Sequence, residues 1–298
     1  MQNPKPCLIV VLGPTAVGKT ALSIELAKYL DTVILSADAR QCFSEMKIGT
    51  ASPSVKEQAG VPHFLLGHVS IAENYSAGEF ARQARKVLDD VFKTKTTALL
   101  VGGSGLYIKA LCEGLDEFKP VNQKLRDDLQ TLFKSDGIAA LQDKLKRLNI
   151  DKFNRIDQKN PQRLMRAIEI ELEGTTSQIK SVEKLPFRFL YVGLQLERHV
   201  LRVRIDKRVE QMLEEGLLEE VKNLLPYQHL NALQTVGYRE CFDFLQDKIS
   251  YAEMAAQIKT HTAQYAKRQM TWFKKVPNVH WFEPQEMEKI KTLIETFV

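Results

Sequence analysis

Cysteine is scarce and scattered. The 298 residues hold four (Cys7, Cys42, Cys112 and Cys241), and no two form a CxxC pair. A zinc ribbon or finger is excluded by that spacing. Disulfides are not expected in a reducing compartment, so free, mostly buried thiols are expected. Long apolar runs are also missing. The stretch Leu8–Leu12 near the start is far too short to span a bilayer. The opening MQNPKPC lacks a charged region leading into an apolar stretch of signal-peptide length, so a cytoplasmic protein with no membrane role is expected. Acid is absent from one long segment. Between Glu253 and Glu283 there is no Asp or Glu, yet Lys259, Lys267, Arg268, Lys274 and Lys275 fall inside it.

What is present is ordinary in amount. Hydrophobic residues make up 44% and charged residues 27%, which excludes collagen-like, mucin-like and disordered classes. The length suits one large domain or two ordinary ones, with a core that needs no staple. Net charge is only +5, so the distribution of charge says more than its total. Arg198, Arg202, Arg204, Lys207 and Arg208 form a second basic cluster. Two such clusters in one half of the chain point toward a nucleic-acid partner.

Five short β-branched runs predict buried strands at Cys7–Leu12, Val33–Ala37, Thr97–Val101, Phe189–Leu194 and Asn278–Phe282. Helical patterns at Thr20–Leu30 and Ala77–Phe92 alternate with the first three. That alternation implies an α/β fold with a parallel sheet flanked by helices. From Asp116 to Leu185 strand-like runs vanish, while Leu125, Leu129, Leu132 and Phe133 repeat at helical spacing. Asn160-Pro161 reads as a helix start and Gly174 as its stop. Residues 117–186 are therefore expected to be an inserted all-helical domain, with 1–116 and 187–298 forming the core domain. Two long helices follow the fourth strand. In the first, Leu201, Ile205, Val209, Met212 and Leu213 make an apolar stripe, with Arg204, Arg208 and Gln211 on another face. In the second, at roughly Tyr251–Lys274, the expected inner residues are Ala255, Ile258, Thr262, Tyr265, Ala266 and Phe273.

Residues 13–20 read GPTAVGKT, a GxxxxGK[ST] phosphate loop set between a strand and a helix. Gly13 and Gly18 let the backbone curl so that its amides point inward. Lys19 adds a full charge, and Thr20 can hold Mg²⁺. Such a loop implies a diphosphate or triphosphate, on a P-loop NTPase-like sheet, without specifying the reaction. An ATPase usually ends its third strand in a metal-holding Asp. Here Leu99-Leu100-Val101 runs into Gly102-Gly103-Ser104-Gly105 with no carboxylate, and the acid follows the second strand instead, as Asp38 in SADARQ. Ligands of parallel sheets bind at the carboxyl ends of strands, which places Asp38 toward the phosphate loop.

These motifs together resemble the tRNA dimethylallyltransferases, or tRNA isopentenyltransferases. The match runs through GPTAVGKT (13–20), SADARQ (36–41), IGTA (48–51), VGGSGLY (101–107), NPQRLMRAIE (160–169), RIDKRVEQMLEEGLLEEV (204–221), QTVGYRE (234–240) and AKRQMTWF (266–273), nearly the whole chain in order. The resemblance implies transfer of a dimethylallyl group from dimethylallyl diphosphate. The implied acceptor is the exocyclic amine of the adenosine 3′-adjacent to the anticodon, in tRNAs reading codons that begin with U. It implies that Gly13, Pro14, Thr15, Ala16, Val17, Gly18, Lys19, Thr20 and Arg208 hold the donor's diphosphate with Mg²⁺ on Thr20. It implies that Asp38, Lys19, Thr20 and Arg208 carry the chemistry. It implies contacts to the tRNA anticodon stem-loop from Asp38, Ala39, Arg40 and Gln41, from Ser104, and from Arg126. Further contacts come from Gln162, Arg163 and Arg166, from Gln234, Val236, Gly237 and Arg239, and from Lys267, Arg268, Gln269, Thr271 and Lys274. Arg163, Arg166, Lys267 and Lys274 suit phosphates, and Gln162, Gln234 and Gln269 suit base edges. A monomer is expected.

The chain departs from the family pattern at several points. Ala39 stands where Ser is usual after the acid, Cys42 and Phe43 where a β-branched residue and Tyr are usual, and Ser104 where Thr is usual. Ser52 and Ala263 replace a common Lys and Arg. Three other readings compete. A nucleotide kinase needs the missing acid after the third strand, and an adenylate isopentenyltransferase acting on a mononucleotide has no use for the basic C-terminal helix. A plain RNA-binding module leaves the phosphate loop and Asp38 without a role.

Overall fold

The computed structural model describes residues 5–115, 122–174 and 185–298. In chain order the elements are β1 (Cys7–Leu12), α1 (Lys19–Tyr29), β2 (Ile34–Ser36), α2 (Val55–Gln58), β3 (His63–Phe64), α3 (Ala77–Val91), β4 (Thr97–Gly102) and α4 (Gly105–Cys112). Then come α5 (Gln123–Leu148), α6 (Ile150–Arg155), α7 (Pro161–Glu173), β5 (Arg188–Leu194), α8 (Arg198–Glu214) and α9 (Leu217–Leu224). The last are α10 (Tyr238–Leu245), α11 (Tyr251–Phe273), β6 (Val279–Phe282) and α12 (Met287–Phe297). The chain divides into two compact units, Met1–Gly114 with Lys184–Val298, and Leu115–Glu183.

In the larger unit six strands form one sheet in the order β3-β2-β4-β1-β5-β6, and every pairing is parallel. All six residues of β1 are buried, which is why the strand is a continuous apolar run rather than an alternating one. Leu8, Val10 and Leu12 face a cluster completed by Phe80, Ala84 and Leu88 of α3. Cys7, Ile9 and Val11 face the opposite cluster, with Leu22 and Leu26 of α1 and Ile290 and Ile294 of α12. A third cluster joins Met46, Val69 and Ile71 to Val209, Val221, Tyr238 and Ile258 and so anchors α8 to α11. All four cysteines are free and buried, and burial pushes the Cys42 and Cys241 thiols up to about 12. Among the described residues no helix is long and apolar enough to cross a membrane.

The smaller unit is helical. Leu129, Leu141, Leu145, Phe153, Leu164, Met165 and Ile168 close its own core. Asn160 caps α7 by accepting from Arg163 N, Pro161 opens the helix and Gly174 ends it, each as expected. The expected boundary at 116/117 lies outside the described residues.

Differences from the sequence reading are local. β2 is three residues instead of five, and β3 is an extra two-residue edge strand with no β-branched run to announce it. Along α11 the buried residues are Met254, Ile258, Ala266, Gln269 and Phe273, whereas Tyr265 is exposed. The inner stripe therefore passes through a glutamine that the apolar pattern skipped.

Candidate active site

Register brings the site together. Leu12 pairs with Gly102 and with Gly193, and Ser36 pairs with Val101, so the carboxyl ends of β1, β2, β4 and β5 finish level. The chain leaves β1 toward β2 on one side of the sheet and later returns to β5 on the other. The crevice at such a reversal is where parallel sheets take ligands. Gly13 and Gly103 follow immediately on β1 and β4, and Asp38 comes two residues after the end of β2.

The phosphate loop has the conformation its glycines allow. Gly13 has φ +151, and a Cβ there would sit 2.6 Å from the Leu194 carbonyl oxygen. Gly18 has φ +110 and precedes α1 directly, so the loop delivers its amides to a helix N-terminus. Lys19 folds back over the loop and donates to the carbonyls of Gly13 (3.0 Å) and Pro14 (2.8 Å). Burial pushes its ammonium down to about 8, with the Arg208 charge acting in the same direction and the Asp38 charge against it.

Two arginines of α8, four residues apart, reach the loop from β5's side. Arg204 Nη1 donates to the Val17 carbonyl and Arg208 Nη1 to Thr15 Oγ1, each at 3.0 Å. Burial pulls the Arg208 guanidinium down from its ordinary value, opposed by the charges of Asp38 and Glu57. Gln211, expected on the same face, turns away to Glu215.

Asp38 is held by its own turn. Its Oδ1 accepts from the amides of Arg40 (2.9 Å) and Gln41 (3.3 Å). Ser104 Oγ accepts from the Ala39 amide at 2.9 Å, which ties the end of β4 to the residue after the acid. Although Tyr265 is 36% exposed as a whole residue, desolvation of its phenol end and the Asp38 carboxylate push that phenol up, so α11 also borders this acid.

The expected RNA-contacting residues divide into those with free ends and those already engaged. Lys267 and Arg268 of α11 and Lys274 just beyond it are exposed, and Thr271, also exposed, turns its hydroxyl to the Lys267 carbonyl. Val236, Arg239 and Arg268 line a cavity of about 340 Å³ together with Glu240, His261 and Gln264. Gly237 N donates to the buried Glu240 carboxylate, and Gln234 Nε2 to the Gln228 carbonyl. Arg40 reaches the Asn231 carbonyl. Gln41 donates to the carbonyls of Thr50 and Ala51. That 48–51 loop is itself fixed by Glu220, whose carboxylate accepts from the amides of Lys47, Ile48 and Gly49 and from the Tyr238 hydroxyl. In the smaller unit Gln162 and Arg163 are exposed. Arg126 spends its fork on the buried Glu169, at 2.5 and 2.9 Å, and Arg166 shares that carboxylate.

One expectation needs correction. Gln269, expected to offer its amide to a base edge, is 6% exposed, and both ends of that amide are used inside the protein. The sequence held a signal for this, since a polar residue at a core position of a helix needs internal partners. Arg204 and Glu220 were not singled out as site residues; their partners lie 187 and 171–173 residues away in sequence, beyond any local pattern.

Known proteins match this arrangement over almost its full length. The model of a family described as IPP transferase matches residues 41–276. A tRNA dimethylallyltransferase of Christiangramia forsetii is 45% identical over 95% of both chains. The crystal structure of a full-length tRNA isopentenylpyrophosphate transferase from Bacillus halodurans superposes with a TM-score of 0.74 at 33% identity, covering 98% of this chain and 96% of that one. A eukaryotic dimethylallyltransferase captured acting on tRNA gives 0.78 at 26% identity, over 95% and 75% of the two chains. With a phosphate loop on β1, the acid moved to the end of β2 and relatives of this similarity along its whole length, the chain belongs to the IPP transferase family of prenyltransferases.

Proposed function

We propose that the chain transfers the dimethylallyl group of dimethylallyl diphosphate to the exocyclic amino nitrogen of the adenosine 3′-adjacent to the anticodon. The tRNAs are those reading codons that begin with U, and the compartment is the cytoplasm. The observation that carries this reading is the position of Asp38, within electrostatic reach of both Lys19 and Arg208 at the end of β2. There it can serve an acceptor rather than a nucleotide-bound metal.

The carbon–oxygen bond of the donor breaks as the carbon–nitrogen bond forms. Diphosphate leaves with the bonding pair, and the amine's proton goes to Asp38. The loop amides, Lys19 and Arg208 meet the charge that grows on the leaving oxygen. Lys19 then exchanges its two loop carbonyls for phosphate oxygens. Among the described residues no cluster of three His, Cys, Asp or Glu side chains could hold a metal. The Thr20 hydroxyl beside the donor's own oxygens fits a hard cation that keeps most of its water, as Mg²⁺ does. When bound, Mg²⁺ would add positive charge next to the leaving diphosphate. The target base must leave its stack to reach Asp38, and the exposed basic face of α11 is suited to hold the RNA backbone meanwhile.

The deciding experiment supplies radiolabelled dimethylallyl diphosphate, Mg²⁺ and unmodified tRNA, with AMP as rival acceptor. Label in tRNA is expected, and label in AMP alone rejects the reading. Replacing both Lys267 and Lys274 with Ala should weaken tRNA binding. It should also lower the slope of log affinity against log salt by roughly 1.5–2, because each phosphate contact releases about one counterion. An unchanged slope shows a merely solvated face.

Donor binding should also depend on pH through Lys19. Its ammonium is charged below about 8 and loses its proton as pH rises through that value. The KM for the donor is therefore flat up to about pH 7.5 and climbs toward tenfold per pH unit above about pH 8. The sign for folding is the opposite. Burying this charge costs stability below about 8, and the cost fades as pH rises from there toward the ordinary value of 10.5. Steady-state kinetics with saturating tRNA check the first effect; a KM constant to pH 9 removes Lys19 from donor binding.

A further inference from the structure

Gln269 occupies an unusual place for a side chain of an RNA-facing helix. Its Oε1 accepts from the Thr15 amide in the phosphate loop at 2.9 Å. Its Nε2 donates to the Gly103 carbonyl at the end of β4, also at 2.9 Å. The carboxamide supplies an acceptor at one end and a donor at the other in a single neutral group, at any physiological pH. The fit leaves no slack, because a Cβ on Gly103 would lie 2.2 Å from Nε2. Among the described residues no other side-chain hydrogen bond joins these two loops.

The two loops serve opposite substrates. Thr15 is gripped on its hydroxyl by Arg208 and belongs to the donor loop. Gly103 precedes Ser104, whose hydroxyl holds the amide of Ala39 beside Asp38. A chain of hydrogen bonds thus runs from Arg208 through Thr15, Gln269, Gly103 and Ser104 to the turn of Asp38, and Gln269 is its middle link. We propose that Gln269 is a positioning residue that sets the spacing between the diphosphate loop and the acceptor loop, and so the distance over which the donor carbon meets the amine. The inference rests on the reading of Lys19 and Asp38 given above. Its cost when lost falls on kcat more than on either KM. Both substrates still bind their own loops, whereas a misplacement of about 1 Å can slow a bond-forming step by about 100-fold.

The test uses the full chain with tRNA and labelled donor. Gln269→Met keeps the length of the side chain without its hydrogen bonds. It should lower kcat by about 10- to 100-fold while both KM values and the tRNA dissociation constant stay within about threefold. Gly103→Ala, which displaces the amide from the other side, should do the same. The double variant should be no slower than the worse single one, since both remove one link. Gln269→Glu supplies an arm that holds even if the first variants are poorly folded. A carboxylate facing the Gly103 carbonyl cannot donate, but a protonated carboxyl can, so the rate relative to the wild type should rise as pH falls from about 8 to about 6. A wild-type kcat in Gln269→Met overturns the assignment, as does a kept kcat with weakened tRNA binding, for then the side chain reads RNA. A pH-independent rate ratio for Gln269→Glu overturns it too. A wild type that labels no tRNA rejects the functional reading itself, which separates the two failures.

Discussion

Asp38→Asn slows prenyl transfer by about 10²- to 10⁴-fold, the usual loss when a general base is removed. The geometry makes this a clean substitution. Asp38 Oδ1 is occupied by the amides of Arg40 and Gln41, and an Asn oxygen can keep both bonds. The other carboxylate oxygen is the one left for substrate. In Asn that position becomes an NH₂ group, which donates to an amine but cannot take its proton. Binding of tRNA should therefore change little, and single-turnover rates on pre-bound tRNA should carry almost the whole effect. A second signature follows from charge. The Asp38 carboxylate supports the protonated form of Lys19 against burial. Without it, the alkaline rise in donor KM should begin at lower pH than in the wild type. Loss of tRNA binding with normal residual turnover would contradict the role.

Arg208→Ala should raise the KM for dimethylallyl diphosphate and lower turnover by about 10²- to 10³-fold, the range seen when one charge-stabilising donor is removed. Both effects are expected because leaving-group charge grows from ground state to transition state. The guanidinium is half-buried against Thr15 of the loop with Asp38 and Glu57 as its charged neighbours. It is thus held in place before the donor arrives. Arg208→Lys restores the charge without the planar fork and should recover only part of the loss. Steady-state kinetics in donor, with tRNA affinity measured in parallel, decide the matter. Unchanged donor kinetics with reduced tRNA affinity would falsify the role, because this Arg would then hold RNA.

Much of this site was legible in the chain before any coordinates. Strand β1 ran over the expected Cys7–Leu12, and α7 began and ended at the expected Asn160 and Gly174. These features are local. A buried parallel strand needs consecutive apolar residues, and a cap needs one side chain within three residues of the amide it accepts from. The phosphate loop is local as well, since eight adjacent residues supply its glycines, its lysine and its hydroxyl. Even the absence of an acid after Val101 and its presence after Ala37 required only the order of residues at two strand ends.

Partnership across the chain was decided by tertiary structure alone. Gln269 looked like one of several polar residues on a basic helix, yet its partners lie 254 and 166 residues away in sequence. Arg126 and Gln41 looked free to meet RNA, and one is spent on Glu169 while the other fastens the Thr50–Ala51 loop. Glu220 lay within the quoted 204–221 segment without a role of its own, though its carboxylate gathers three backbone amides and the Tyr238 hydroxyl. A polar side chain's partner is chosen by what packing brings within about 3 Å of it, and that distance carries no periodicity along the sequence. Spacing in the sequence thus determined which chemical groups this protein owns. The level strand ends, with α8 and α11 reaching the loops that follow them, decided which of those groups converge there and which hold those loops in shape.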